Sequence, residues 1–176
     1  MNRFLKKGLI WGLIFGSITA FSFLAYVYYV SKKSIEQYNK VSSSKNFKNL
    51  NINLETLDGK PFDITQFSDK KILVNFWATW CAPCRKEMPL LQSTYNQIKN
   101  EYVFIMISDE KPEVIKAFKE KEGYDFVFVR SRESLKSKVG VFPTTFILDK
   151  LQNIKYTRAG AFDDMSESDL KALLLK

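Results

Sequence analysis

Cys81 and Cys84 are the only cysteines in the chain, and they stand two residues apart in the segment FWATWCAPCRKEMP, residues 76–89. Such a pair can be a redox couple, half of a metal site or a structural disulfide. A structural zinc site needs a closed set of Cys and His ligands. This chain contains no histidine and no further thiol, so no metal is expected and one intramolecular disulfide is the most it can form. A disulfide across so short a spacer constrains little of the unfolded chain, which makes a purely structural role poorly motivated. The remaining chemistry is dithiol–disulfide exchange, with the couple itself as the redox centre and no separate cofactor.

That chemistry needs a particular local frame. The run KILVNFW before the pair is continuously apolar and suits a buried strand. From Cys81 to about Asn100 the pattern turns helical, with Met88, Leu91, Tyr95 and Ile98 on one stripe. The pair therefore lies where a strand gives way to a helix N-terminus, whose unpaired N–H groups and partial positive charge favour a thiolate. On this reading Cys81 is the exposed nucleophile. Cys84, one turn later and more buried, resolves the mixed disulfide. Pro83 stiffens the first helical turn, and Trp80 offers a flat apolar contact beside the nucleophile. Glu87 shares the helical face of Cys84 and is a candidate proton acceptor, or else a first-turn carboxylate that only favours the helix dipole. Asn75, on the preceding strand, cannot titrate and reads as a hydrogen-bonded structural residue. Pro89 reads as a packing kink in the active-site helix.

The rest of the soluble part alternates strands and helices. NINLETLDGKPFDI reads as a hairpin about Asp58-Gly59; YVFIMI is a second buried strand; Pro112 opens a helix that Gly123 stops. DFVFV is a short strand, TTFIL and NIKYTRAG form two more with a turn near Lys150 to Asn153, and Ser166 and Ser168 lead into the helix DLKALLLK. This order implies an α/β fold, a mixed central sheet with helices on both faces.

KILVNFWATWCAPCRKEMP resembles the thioredoxin superfamily, in particular its membrane-anchored TlpA/ResA/CcmG-like branch, and the resemblance runs from about Asn49 to the C-terminus. It implies a thioredoxin-like fold with the hairpin as an N-terminal β-hairpin extension. VGVFPTTFILD is similar to the family's cis-proline loop, which makes Pro143 the expected cis-proline and leaves the Phe142 backbone free to pair with an extended substrate. Family members often carry a smaller residue at the Phe142 position, so substrate preference does not transfer simply. Asn75 with Glu87 is a combination this branch often shows, and YTRAGAFD resembles its cytochrome-maturation members. The implied activity is reduction of chosen disulfides in partner proteins, such as the CxxCH cysteines of apocytochrome c, with re-reduction by a membrane electron-donor protein. Two alternatives stay open: an oxidant that makes disulfides, and a tethered binding module or chaperone on the same fold. A peroxiredoxin-like peroxidase would need its cysteine in another local motif.

The N-terminal quarter has a different purpose. Gly8 to Val30 is free of charge, with Trp11 near one end and Tyr26, Tyr28 and Tyr29 near the other. As a helix it is long enough for a bilayer, and the aromatic residues suit its interfaces. It is longer than a signal-peptide core and lacks small residues at its end, so an uncleaved anchor is favoured over a cleaved leader. Arg3, Lys6 and Lys7 favour a cytoplasmic tail over residues 1–7 and an extracytoplasmic, periplasmic-side domain. Residues 8–30 then form the transmembrane anchor, 31–48 a polar linker, and 49–176 the thioredoxin-like domain. Gly8, Gly12, Gly16 and Ala20 recur every fourth residue, a stripe that would admit a homodimer. The net charge of +8 comes from scattered lysines without a nucleic-acid motif, so nucleic acid is not an expected partner.

Overall fold

The computed structural model describes residues 3–176, and of residues 3–10 only the helical backbone. Met1 and Asn2 of the expected tail therefore lie outside the described residues, and Arg3, Lys6, Lys7 and Gly8 outside the described side chains.

A helix α1 spans Arg3–Ser42. Its apolar side chains from Trp11 to Tyr29 stand exposed, and the helix is long and apolar enough to cross a membrane. Residues 31–48 are not a free linker, a correction to the sequence reading. The helix continues to Ser42, because nothing between Ser31 and Ser42 breaks it and one of its faces finds partners. Val41 is buried in the domain, and Gln37 Nε2 donates to the Lys138 carbonyl at 2.6 Å. After a turn at Ser43 and Ser44, Phe47 enters the core and stacks on Phe76. The packed unit thus begins before residue 49.

Among the described residues, six strands form one sheet: β1 Leu54–Thr56, β2 Lys71–Phe76, β3 Tyr102–Ser108, β4 Val127–Ser131, β5 Thr144–Leu148 and β6 Ile154–Ala159, in the order β1-β4-β3-β2-β5-β6. Strands β2, β3 and β4 run parallel, whereas β5, β6 and β1 pair antiparallel. The connecting helices are α2 Ala82–Ile98, α3 Pro112–Glu122, α4 Leu135–Val139 and α5 Glu167–Leu175.

Alternation along β2 sorts its side chains between two cores. Ile72, Val74 and Phe76 join Val41, Phe47, Leu135 and Val139 on one face. Leu73 and Trp77 join Met88, Leu91, Ile115 and Leu170 on the other. Asn75 has the same parity as Leu73 and Trp77, so it faces α2. Gly123 closes α3 in the left-handed region at φ 69°, and Ser166 with Asp169 forms a capping box on α5. The hairpin about Asp58-Gly59 is a tight turn with a minimal returning arm. Thr56 N–H donates to the Lys60 carbonyl at 2.8 Å and Phe62 N–H to the Leu54 carbonyl at 2.9 Å, around a single bridge, Glu55 to Pro61, at a proline that has no N–H to donate. The short helix α4 and its docking on α1 had no counterpart in the sequence reading.

Candidate active site

β2 delivers the chain to the centre of the sheet, Trp77 N–H still bonds Ile107 at 3.0 Å, and the next residues turn into α2. Cys81 is the N-cap of that helix, in extended backbone, and its Sγ accepts from Cys84 N–H at 3.3 Å. Cys81 and Cys84 are joined by a disulfide, with Cα atoms 5.3 Å apart. Pro83 lies in the first turn, where no intrahelical donor is lost. Pro89 sits inside the same helix.

Cys84 is fully enclosed. Cys81 is 5% exposed, which corrects the expectation of an exposed nucleophile: its outlet is a groove of about 550 Å³ rather than open surface. Trp80, Cys81, Pro83, Lys136, Gly140 and Phe142 line that groove. Trp80 itself is 67% exposed and its ring packs against Phe142 with centroids 5.8 Å apart. The Phe142–Pro143 peptide bond is cis, and Pro143 is buried, its carbonyl accepting from Gly160 N–H at 2.8 Å. Among the described residues, the Phe142 backbone N–H and C=O have no hydrogen-bond partner. An extended segment could pair there, within reach of the cysteines.

Behind the disulfide lies a buried polar cluster. Glu87, three residues after Cys84 on α2, is 2% exposed. Its Oε1 accepts from Asn75 Nδ2 at 2.8 Å and its Oε2 from Phe162 N–H at 3.1 Å. The same Asn75 nitrogen donates to Thr145 Oγ1 at 2.9 Å, and Asn75 Oδ1 has no partner among the described residues. Burial pushes the Glu87 carboxyl up to about 7, against the opposing pull of the Asn75 and Phe162 hydrogen bonds and of the Arg158 charge. A group poised near neutrality, on the helical face of Cys84, is suited to move a proton during exchange. Tertiary structure brings Asn75 and Glu87 together; Thr145 and the Phe162 backbone, which complete the cluster, carried no sequence signal.

A second network holds the segment in front of Cys81. Thr79 donates through N–H and Oγ1 to the two carboxylate oxygens of Glu110, at 2.7 and 2.6 Å. Arg130 Nε donates to the Glu110 carbonyl at 3.1 Å, and Arg130 and Arg132 both bond Glu55. These hydrogen bonds, that from Arg130 first, hold the Glu55 carboxyl below the usual carboxylate range. The acidic SDEK after β3 was visible in the sequence, but its partner Thr79 lies 31 residues away. Among the described residues, no group of three or more Cys, Asp or Glu side chains is placed to hold a metal ion.

Comparison with known proteins matches residues 39–174 to the family described as Redoxin. The chain is 31% identical over 166 residues to thiol-disulfide oxidoreductase ResA from Bacillus cereus, covering 88% of each protein. It is 32% identical over 123 residues to the ResA of Geobacillus thermodenitrificans, covering 67% of this chain and 69% of that one. Among solved structures it is similar to StoA from Bacillus subtilis, with a TM-score of 0.54 and 25% identity, over 68% of this chain and 92% of that one.

Proposed function

The chain belongs to the Redoxin family, among its ResA-like thiol-disulfide oxidoreductases, and from that premise we propose that it is a membrane-anchored, extracytoplasmic reductase of specific partner disulfides. The observation that carries the reading is the Cys81–Cys84 pair at the N-terminus of α2, opening on a groove and backed by a buried Glu87.

In the reduced protein, the Cys81 thiolate attacks one sulfur of a partner disulfide lying along Phe142, and the other partner sulfur leaves as a thiolate. Cys84 passes its proton to the Glu87 carboxylate and attacks Cys81. The partner's second thiolate is released, and Cys81–Cys84 is left oxidised. Two electrons pass from the cysteine pair to the partner. The partner's sulfurs take up two protons, and Glu87 returns its own to solvent.

Reduction rather than oxidation is supported by the Ala-Pro dipeptide and by the absence of room for a large helical insertion in the connections between strands. The apolar exposed length of α1 supports the anchor. The CxxCH disulfide of apocytochrome c is the substrate that the family resemblance favours, with a membrane protein re-reducing the pair. The Cys84→Ser variant tests the reading, since it should hold partners as mixed disulfides on Cys81. Trapping none, or full activity in Cys81→Ser, would sink it. A reduction potential well below about −220 mV marks a reductant, whereas one near −120 mV would make the protein an oxidant.

A further inference from the structure

The segment of α1 that follows the apolar run is welded to the wall of the active-site groove. Its less exposed positions are Val30, Ser34, Gln37, Tyr38 and Val41, at helical spacing on one face. That face begins at the last residue of the apolar run. Contacts then follow in order along the helix. Gly140 lies against Ser34 and Tyr38, so closely that a β-carbon on Gly140 would collide with the Ser34 carbonyl. One turn further on, Gln37 bonds the Lys138 carbonyl. Beyond that, Lys40 and Val41 border a cleft shared with Ser137 and Lys138. Helix α4 therefore runs back toward the apolar end of α1. Its C-terminus delivers Gly140, Val141 and Phe142, which line the groove, on the side toward the apolar run of α1.

Distances make this a tight constraint. Ser34 is four residues past Val30, about 6 Å along a helix. Phe142 is two residues past Gly140, at most about 7 Å. With the packing contact between the two segments, the groove wall lies within roughly 20 Å of the end of the apolar run. The groove also carries what suits that level: an exposed Trp80 and an exposed Lys136, with Lys32 and Lys33 at the helix exit.

We propose that residues 30–41 are a rigid strap that holds the Cys81–Cys84 groove at the bilayer surface, and that the disulfides it exchanges with belong to membrane-held proteins and lie close to that surface. This rests on the membrane-anchored reductase reading above. The exchange is the one already written: partner disulfide and protein dithiol in, partner dithiol and protein disulfide out.

The test uses the full chain, reduced with dithiothreitol and freed of excess reductant, in anionic-lipid vesicles. The probes are single-span peptides carrying the same disulfide loop either about five or about twenty-five residues beyond the bilayer, a difference of some 60–70 Å in maximum reach. The wild-type protein should reduce the near probe about tenfold faster or more. A flexible insert of about twelve Gly/Ser residues between Lys33 and Ser34 leaves the strap docked but frees it from the membrane, and should bring the ratio close to one. A helical insert of about seven residues in the same place keeps the facing and raises the groove by about 10 Å, which should move the optimal probe outward by a similar distance. Equal rates on both probes in an anchored, active wild-type protein, or a near preference that neither insert alters, would overturn the strap and leave the reductase reading intact. Failure of the chain to stay with vesicles after alkaline washing, or to exchange with either probe, would overturn both.

Discussion

Asn75 Nδ2 donates to Glu87 Oε1 at 2.8 Å, joining the central strand to the active-site helix beneath the disulfide. The donor is an amide that never ionises, and the acceptor is a carboxyl that burial lifts to about 7. The strand thus orients the carboxyl without competing for its proton.

A pH dependence of stability follows from the raised carboxyl. Between its ordinary value near 4.5 and its folded value near 7, Glu87 binds more proton in the native state than in the unfolded one. Unfolding free energy must therefore fall as pH rises through that window, by on the order of 3 kcal/mol in total, and level off above it. Oxidised protein is the right sample, because its thiols do not titrate, and the chain has no histidine to add a slope of its own. Urea unfolding of wild type and Glu87→Gln from pH 5 to pH 8 checks this. The substitution should flatten the decline, and an equal slope in both proteins would remove Glu87 as its source.

Asn75→Asp would place a second carboxyl against the first. Two carboxyls at hydrogen-bond distance share one proton at neutral pH, so the upper titration of the pair should rise above that of wild-type Glu87. At pH 8 the variant should lose roughly 2–4 kcal/mol of stability. Carbon-13 NMR of labelled carboxyls reads the titration directly. An upper value that stays at the wild-type position would mean that the two groups are not coupled.

Glu110 acts as a positioning residue through Thr79. Glu110→Ala strips the acceptors from two donors on the residue next to Trp80, at an expected cost of about 1–3 kcal/mol. Disulfide exchange should slow by roughly threefold to tenfold, because the Trp80–Cys81 segment loses its clamp. Glu110→Gln retains one acceptor oxygen and should recover part of both. Stopped-flow reduction of a model disulfide measures the rates, and equal rates in the three proteins would reduce the clamp to a purely structural role.

Gly140 has a local and a long-range demand on it. At φ 81° an L side chain is strained, and its β-carbon would meet the Ser34 carbonyl. Gly140→Ala should cost about 1–3 kcal/mol and loosen α1 from α4. Hydrogen exchange of the full chain should then show faster amide exchange over residues 34–42. Unchanged protection there would show that the helix docks without needing the glycine.

Much of the chemistry is legible in the sequence, because it depends on short-range pattern. The cysteine spacing, the apolar run of β2, the helical stripe after it and the missing histidines all lie within a few residues or are absences in the whole composition. Pro112 and Gly123 mark their helix by the same local rules, and Ser166 marks the last one. The charge-free run from Gly8 to Val30 announced a membrane-competent helix by its length and apolar composition.

What tertiary structure decided is what depends on residues far apart in the chain. The sequence placed Cys81 on the surface, whereas the fold recesses it in a groove that it lines with Trp80 and Phe142, two rings that meet across 62 positions of chain. Residues 31–48 were polar enough to pass for a tether, yet one face of a helix there finds Gly140, Lys138 and a core site for Val41. Composition reports what a segment would do alone in water; a partner surface more than a hundred residues away decides what it does in the fold. Glu87 shows the same division. Its place on the face of Cys84 was readable from helical spacing, but its raised proton affinity comes from burial, which outweighs the opposing hydrogen bonds from Asn75 and Phe162, and only folding supplies those.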